Sequence, residues 1–228
     1  MGDVIVVCGL DREGRVLTGP GLRIIAGGGN AAQLAEALAR AAPAADGIIS
    51  FGMAGALDTA MRIGDWVIGD TVISSPSYPL KGRGSGQTCD PAWTAALARL
   101  MPDARRGLIY ADGRLIADPA EKVALGQGGA LAADMESHVA ARCAAEAGLP
   151  FAVLRCISDE AGHAVPPAIA VSMRPDGGLA MGAVLRSITR NPRQLPELMR
   201  TLFAFNRAYT ALRAGAQALG PRLAFDLR

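Results

Sequence analysis

Apolar runs without strict alternation mark the first two-thirds of this chain, each followed by a turn signal or a segment of helical period. VIVVCGL (residues 4–10) is rich in β-branched side chains and ends in the polar turn DREG, which predicts a buried strand. RIIAGGGN (23–30) predicts a second strand entering three glycines. NAAQLAEALARAA then changes to helical periodicity, with Asn30 as its N-cap and Pro43 beyond its end. GIISFGMAGALD (47–58) predicts a strand and a small-residue turn, and IGDWVIGDTVIS (63–74) a pair of strand segments around a turn. Residues 75–90, rich in Gly, Pro and Ser, predict a mobile loop or a lid.

Beyond that loop, PAWTAALARLM predicts a helix with Asp90 as cap and Pro91 at its first position. RGLIYAD predicts a strand and DPAEKVALGQ a short helix capped by Asp118. ALAAD leads into a helix over 137–147 stopped by Gly148 and Pro150, and FAVLRCIS predicts another buried strand. This alternation implies an α/β domain with parallel strands in one sheet and helices on both faces. The last third differs: GGLAMGAVLRSITRN and PELMRTLFAFNRAYTALRAGAQAL predict two amphipathic helices, approached through VPPAIAVSMRPDGG. The expected organisation is a single domain over 1–228, with 164–228 as a C-terminal helical extension.

Composition narrows the class. With 228 residues, 50% hydrophobic and 19% charged, the chain is long enough for one substantial core and too apolar to be disordered. Cys8, Cys89, Cys143 and Cys156 show no CxxC spacing, and the opening residues lack a signal-peptide pattern, so a cytoplasmic setting is expected. Net charge is +2 but uneven: residues 164–228 carry nine Arg against Asp176, Glu197 and Asp226, a net of +6 that leaves −4 elsewhere. A basic tail on a mildly acidic body points to an anionic surface as partner, or to solvated helix faces.

Ligands of an open parallel sheet bind beyond the carboxyl ends of its strands. Glu13 follows the first strand, Glu136 lies between ALAAD and its helix, and Asp159 follows FAVLRCIS, so three acids converge on one edge. Taken singly, each has an ordinary structural explanation as a cap, a first-turn acid or a solvated residue. The AGGG and GMAG segments reach the same edge, where small residues let a ligand approach the backbone. The glycine run is not the G-x-G-x-x-G of a dinucleotide site.

FGMAGALDTAMRIGDWVIGDTV, AADMES and LPFAVLRCISDEAG together resemble the signature segments of the nucleoside phosphorylase and methylthioadenosine/S-adenosylhomocysteine nucleosidase superfamily. The resemblance runs from the first strand to about residue 162. It implies a three-layer αβα sandwich with a central mixed, mainly parallel sheet, acting on the N-glycosidic bond of a purine nucleoside. By that resemblance Asp159 protonates purine N7 and Ser158 orients it, while Glu136 binds the ribose hydroxyls and Met135 packs on the sugar. Glu13 matches the carboxylate that activates water in the hydrolytic branch. Leu115 and Ile116 fall where that branch contacts the adenine, although Leu115 replaces the usual aromatic. Ala54 and Gly55 fall beside the base.

Bond cleavage makes the sugar cationic and the leaving base anionic, so a general acid at the base and an anion near the sugar both favour the transition state. The apolar FAVLRCI offers Asp159 surroundings in which a carboxyl keeps its proton, whereas Glu136, at a helix N-terminus, is favoured as an anion. Water and phosphate both stay open as nucleophile. Glu13 favours water; Met53 stands where the phosphorylases carry a phosphate-binding Ser, yet Arg12 and the GGGN backbone, with Gly29, are available to inorganic phosphate as co-substrate.

The tail, with RPDGG and VLRSITRNPRQLPELMR, is similar to the hopanoid-associated nucleoside phosphorylases. That resemblance implies adenosylhopane as the substrate, removal of adenine in hopanoid side-chain synthesis, and a peripheral membrane contact through the C-terminal helices. The alternative for the tail is a dimer interface or a helical cover on the core, and the family resemblance implies a homodimer. The alternative enzyme is a methylthioadenosine/S-adenosylhomocysteine nucleosidase of salvage. The non-enzyme alternative is a membrane-peripheral lipid-binding protein, which requires that Asp159→Asn leave function intact. A serine hydrolase is disfavoured, because G-x-S-x-G is absent and the two histidines, His138 and His163, adjoin the carboxylates. No His/Cys pair has ligand spacing, so no metal is expected; without an aromatic platform, neither is a nucleic acid.

Overall fold

The computed structural model describes residues 2–74, 86–170 and 180–228. Its strands are β1 (Asp3–Cys8), β2 (Leu22–Ala26), β3 (Ala45–Ala56), β4 (Trp66–Ile73), β5 (Gln87–Thr88), β6 (Arg105–Ala111), β7 (Ala130–Asp134) and β8 (Phe151–Asp159). Its helices are α1 (Asp11–Gly14), α2 (Ala31–Ala41), α3 (Pro91–Leu100), α4 (Pro119–Gln127), α5 (Ser137–Ala147), α6 (Pro167–Ala170), α7 (Met181–Arg190) and α8 (Leu195–Ala218).

One mixed sheet runs in the order β2-β1-β3-β7-β6-β4-β5. The pairs β1–β2, β1–β3, β4–β6 and β6–β7 are parallel, while β3–β7 and β4–β5 are antiparallel. β8 pairs in parallel with β3 and antiparallel with β4, which closes β3, β7, β6, β4 and β8 into a ring. β1 shows why its sequence does not alternate. Ile5 and Val7 pack with Leu34 and Leu38 of α2 and Val139 and Ala140 of α5. Val4, Val6 and Cys8 face the other way, onto Trp93 and Leu97 of α3 and Ala208 and Leu212 of α8. A strand covered on both faces must be apolar at every position.

The helices start where their caps place them. Asn30 Oδ1 accepts from the Gln33 amide at 3.1 Å, Asp90 Oδ1 from Trp93 at 2.8 Å and Asp118 Oδ1 from Ala120 at 3.1 Å. Gly148, at φ 65°, ends α5 in the left-handed conformation.

Four local expectations change. DREG is a helical turn, because the Glu13 carboxylate folds back onto the Gly9 and Leu10 amides and closes its N-terminus. β3 continues through GMAG to Ala56, held by β8 and β7 on its two sides. Residues 66–73 form one strand, with a register shift between Gly69 and Thr71 in place of a turn. ALAAD is itself a strand. Most of the expected loop or lid, residues 75–85, lies outside the described residues.

Residues 171–179 of the tail, with RPDGG, lie outside the described residues; the rest of the tail is largely helical. The second half of α8 is a layer of the sandwich: Ala208, Leu212 and Ala216 are buried, and the Trp93 indole donates to the Leu223 carbonyl at 2.8 Å. α7 and the first half of α8 instead expose Leu185, Leu195, Met199, Leu202 and Phe203. No helix among the described residues is long and apolar enough to cross a membrane.

Candidate active site

The carboxyl ends of β1, β3, β7 and β8 open into one cavity of about 390 Å³. Glu13, Glu136 and Asp159 all line it, together with Met53, Ala54, Gly55, Leu115, Ile116, Met135 and Ser158. Gly29 does not. It lies exposed in the turn into α2, where its φ of 73° is the reason for a glycine. From that glycine run the site uses Gly27, where a Cβ would fall 2.7 Å from Glu136 Cγ.

At one end of the cavity Glu13 and Glu136 are both buried. Glu13 Oε2 accepts from the Gly9 and Leu10 amides at 2.8 and 2.9 Å, and Oε1 accepts from the Met53 amide at 2.8 Å. The two carboxylates approach the same point on the backbone: a Cβ on Gly9 would lie 3.3 Å from an oxygen of each. Burial pushes both carboxyls up, Glu136 to about 8, with Arg155 opposing the shift and Asp134 and Glu13 adding to it. The expectation of an anionic Glu136 at a helix N-terminus is therefore corrected. Asp134 caps that helix, accepting from the Glu136 and Ser137 amides at 2.9 and 2.7 Å, and leaves the Glu136 carboxyl free to face the cavity.

Arg155, in the middle of β8 and fully buried, anchors this end. Its Nε donates to Asp134 Oδ2 at 3.0 Å and its Nη2 to Ser50 Oγ at 2.5 Å, while its Nη1 has no hydrogen-bond partner among the described residues. A Cβ on Gly52 would lie 2.8 Å from Glu13 Oε2 and 3.0 Å from Arg155 Nη1, so this glycine lets the acid and the guanidinium meet across β3.

At the other end Asp159 is held on both oxygens. Ser158 Oγ donates to Oδ1 at 2.8 Å, and Lys122 Nζ of α4 forms an ion pair with Oδ2. Lys122 is 1% exposed and also donates to the His163 carbonyl at 3.2 Å. The sequence expectation gave Asp159 apolar surroundings; the structure puts an ammonium against it. Ile116 is buried beneath this end, and Leu115, at 36%, stands at its mouth. His163 lines the cavity and pairs through Nδ1 with Glu160 at 3.5 Å.

The outer wall is α8, which contributes Arg200, Leu202 and Phe205. Arg12 joins this wall to α1, with its guanidinium 4.4 Å from the Tyr209 ring centroid. Its charge thus lies over the aromatic faces of Phe205 and Tyr209. Among the described residues no group of three or more His, Cys, Asp or Glu is placed to hold a metal ion.

Sequence reasoning missed Lys122, Arg155 and Asp134. Two carried a signal. A charged residue inside the apolar FAVLRCIS must find a buried partner. Lys122 lies three residues before buried Leu125, on the inward face of its helix.

A family model described as the phosphorylase superfamily matches residues 2–190. The S-adenosylhomocysteine nucleosidase of Streptococcus pyogenes, solved with 5-methylthiotubericidin, superposes with a TM-score of 0.62 at 19% identity, covering 96% of this chain and 97% of that one. The 5'-methylthioadenosine/S-adenosylhomocysteine nucleosidase of Neisseria meningitidis, solved with methylthio-immucillin-A, gives 0.67 at 16% identity, with 100% of both chains covered. Futalosine hydrolase of Helicobacter pylori gives 0.58 at 15% identity over 70% of this chain and 88% of that one. At these identities the likeness is one of fold. No curated protein sequence matches the chain.

Proposed function

This chain belongs to the phosphorylase superfamily, and from that premise we propose that it is an enzyme releasing adenine from a nucleoside, with water as the nucleophile. The observation that carries this reading is the pair of buried carboxyls, Glu13 and Glu136, at one end of a cavity whose other end holds Asp159. Two carboxylates this close share a proton at neutral pH. Glu13, with three amide donors, is the better seat for the negative charge, and Glu136 for the proton. Glu13 then takes a proton from water as it attacks the anomeric carbon, and Glu136 bonds the ribose hydroxyls. Asp159 hands a proton to N7 while the C–N bond electrons pass to the base. A phosphate dianion would enter against the Glu13 carboxylate.

The finer reading is that the nucleoside is adenosylhopane, cleaved in hopanoid side-chain synthesis. It is supported by the likeness of the tail and by exposed Leu202 in the α8 wall of the cavity, with exposed Phe203 next to it in the chain. The competing reading, a methylthioadenosine/S-adenosylhomocysteine nucleosidase, is favoured by the fold likeness to such enzymes. Purified protein given adenosylhopane, methylthioadenosine and adenosine, with and without phosphate, separates these. We expect free adenine without phosphate, fastest from adenosylhopane, and a loss of at least about 100-fold in Asp159→Asn. Adenine from none of the three sinks the enzyme reading; phosphate-dependent ribose 1-phosphate formation replaces water with phosphate.

A further inference from the structure

We propose that Lys122 is a positioning residue that supplies the proton Asp159 delivers to the leaving purine; this rests on the adenine-releasing reaction proposed above. Lys122, on α4, is buried and lines the cavity at its Asp159 end. Its Nζ donates to Asp159 Oδ2 and to the His163 carbonyl, and lies 3.5 Å from the Glu160 carbonyl. Ser158 occupies the second Asp159 oxygen. Every nearby donor and acceptor thus keeps one aspartate and one lysine in a single geometry.

In the ion pair the proton that can be exchanged lies on Lys122, against the carboxylate oxygen, and the leaving purine needs one. The ion pair as a whole contains that proton. As the anomeric C–N bond breaks, its electron pair moves onto the base, N7 takes a proton from the Asp159 carboxyl, and Asp159 takes one from Lys122 Nζ. The carboxylate is restored, Lys122 is left as a neutral amine, and water returns the proton when the products leave. A lysine suits this exchange because a buried ammonium can shed its proton, which a guanidinium does not. An ion pair serving stability alone has no such requirement, since apolar replacements of buried pairs are often neutral or stabilising.

The test compares adenosine with 7-methyladenosine, whose ring already carries the positive charge that protonation would supply. In Lys122→Arg and Lys122→Met we expect kcat on adenosine to fall by at least about 100-fold, the scale of general acid catalysis. Turnover of 7-methyladenosine should stay within a small factor of wild type in both, which also reports an intact fold. A Lys122→Arg enzyme that keeps adenosine turnover overturns the proposal, because charge alone would then suffice. Parallel loss on both substrates in both variants also overturns it and assigns Lys122 a structural role. A wild type that releases no adenine removes the reaction itself, and with it this inference, whereas failure confined to the variants leaves the reaction standing.

Discussion

Glu136 is 5% exposed and its carboxyl is pushed up from the usual 4.5 to about 8 by burial. Below about 4.5 the folded and unfolded chains both hold this proton. Between about 4.5 and 8 only the folded chain holds it, so a rise in pH favours unfolding, and the stabilisation present in acid is lost by about pH 8. Glu13, shifted in the same direction, adds to the slope. Wild-type thermal stability should therefore decline from pH 5 to 8 more steeply than that of Glu136→Gln, which carries no proton to lose. At pH 8 the variant should be the more stable by at least about 1 kcal/mol, given ~1.4 kcal/mol per pKa unit, while releasing no adenine. Equal pH slopes in melting experiments would refute this. The three acids were legible in the sequence because each follows a strand. Their charge states were not, since these depend on Asp134, Arg155 and Lys122, which reach the site from elsewhere in the chain.

β3 is the element that joins the two ends of the site. GMAG reads locally as a turn because glycines weaken strands, yet here the missing side chains make room for acids from other elements. Gly52 admits Glu13, and Gly55, where a Cβ would lie 2.9 Å from Asp159 Oδ2, admits the acid proposed to protonate the base. Substitution at the two positions should divide the chemistry. Gly52→Ala, strained as well by a φ of 151°, displaces Glu13, the carboxyl proposed to activate water. It should lower turnover of adenosine and 7-methyladenosine alike, whereas Gly55→Ala should lower adenosine turnover and largely spare the methylated substrate. A cost of about 1–3 kcal/mol per crowded methyl sets the scale, or roughly one to two powers of ten in rate. Indistinguishable substrate profiles would show that β3 does not separate the two functions. The caps of α2, α3 and α4 were legible because a cap is a local event; the partners of β3 lie about forty to a hundred residues away.

Across the whole molecule, alternation of apolar runs and helical periods revealed the layers but not the ring that β8 closes between β3 and β4, since strand pairing at long range leaves no local pattern. The tail divides the same way. Its helical period was readable, but which turns of α8 belong to the core is fixed by the packing of Ala208, Leu212 and Ala216 with Trp93 and β8. The turns left outside carry exposed Leu185, Leu195, Met199 and Phe203 beside exposed Arg186, Arg190, Arg193 and Arg207. Apolar side chains framed by arginines match the interface of an anionic bilayer, where each basic residue contributes about 1 kcal/mol and salt weakens the attraction. Leu185 and Phe203 do not line the cavity, so Leu185→Asp/Phe203→Asp should leave adenosine cleavage unchanged. The same variant should lose co-sedimentation with phosphatidylglycerol vesicles and slow the release of adenine from adenosylhopane carried in them. Should the wild type ignore such vesicles and the variant instead shift from dimer to monomer in light scattering, the face belongs to a second copy of the chain.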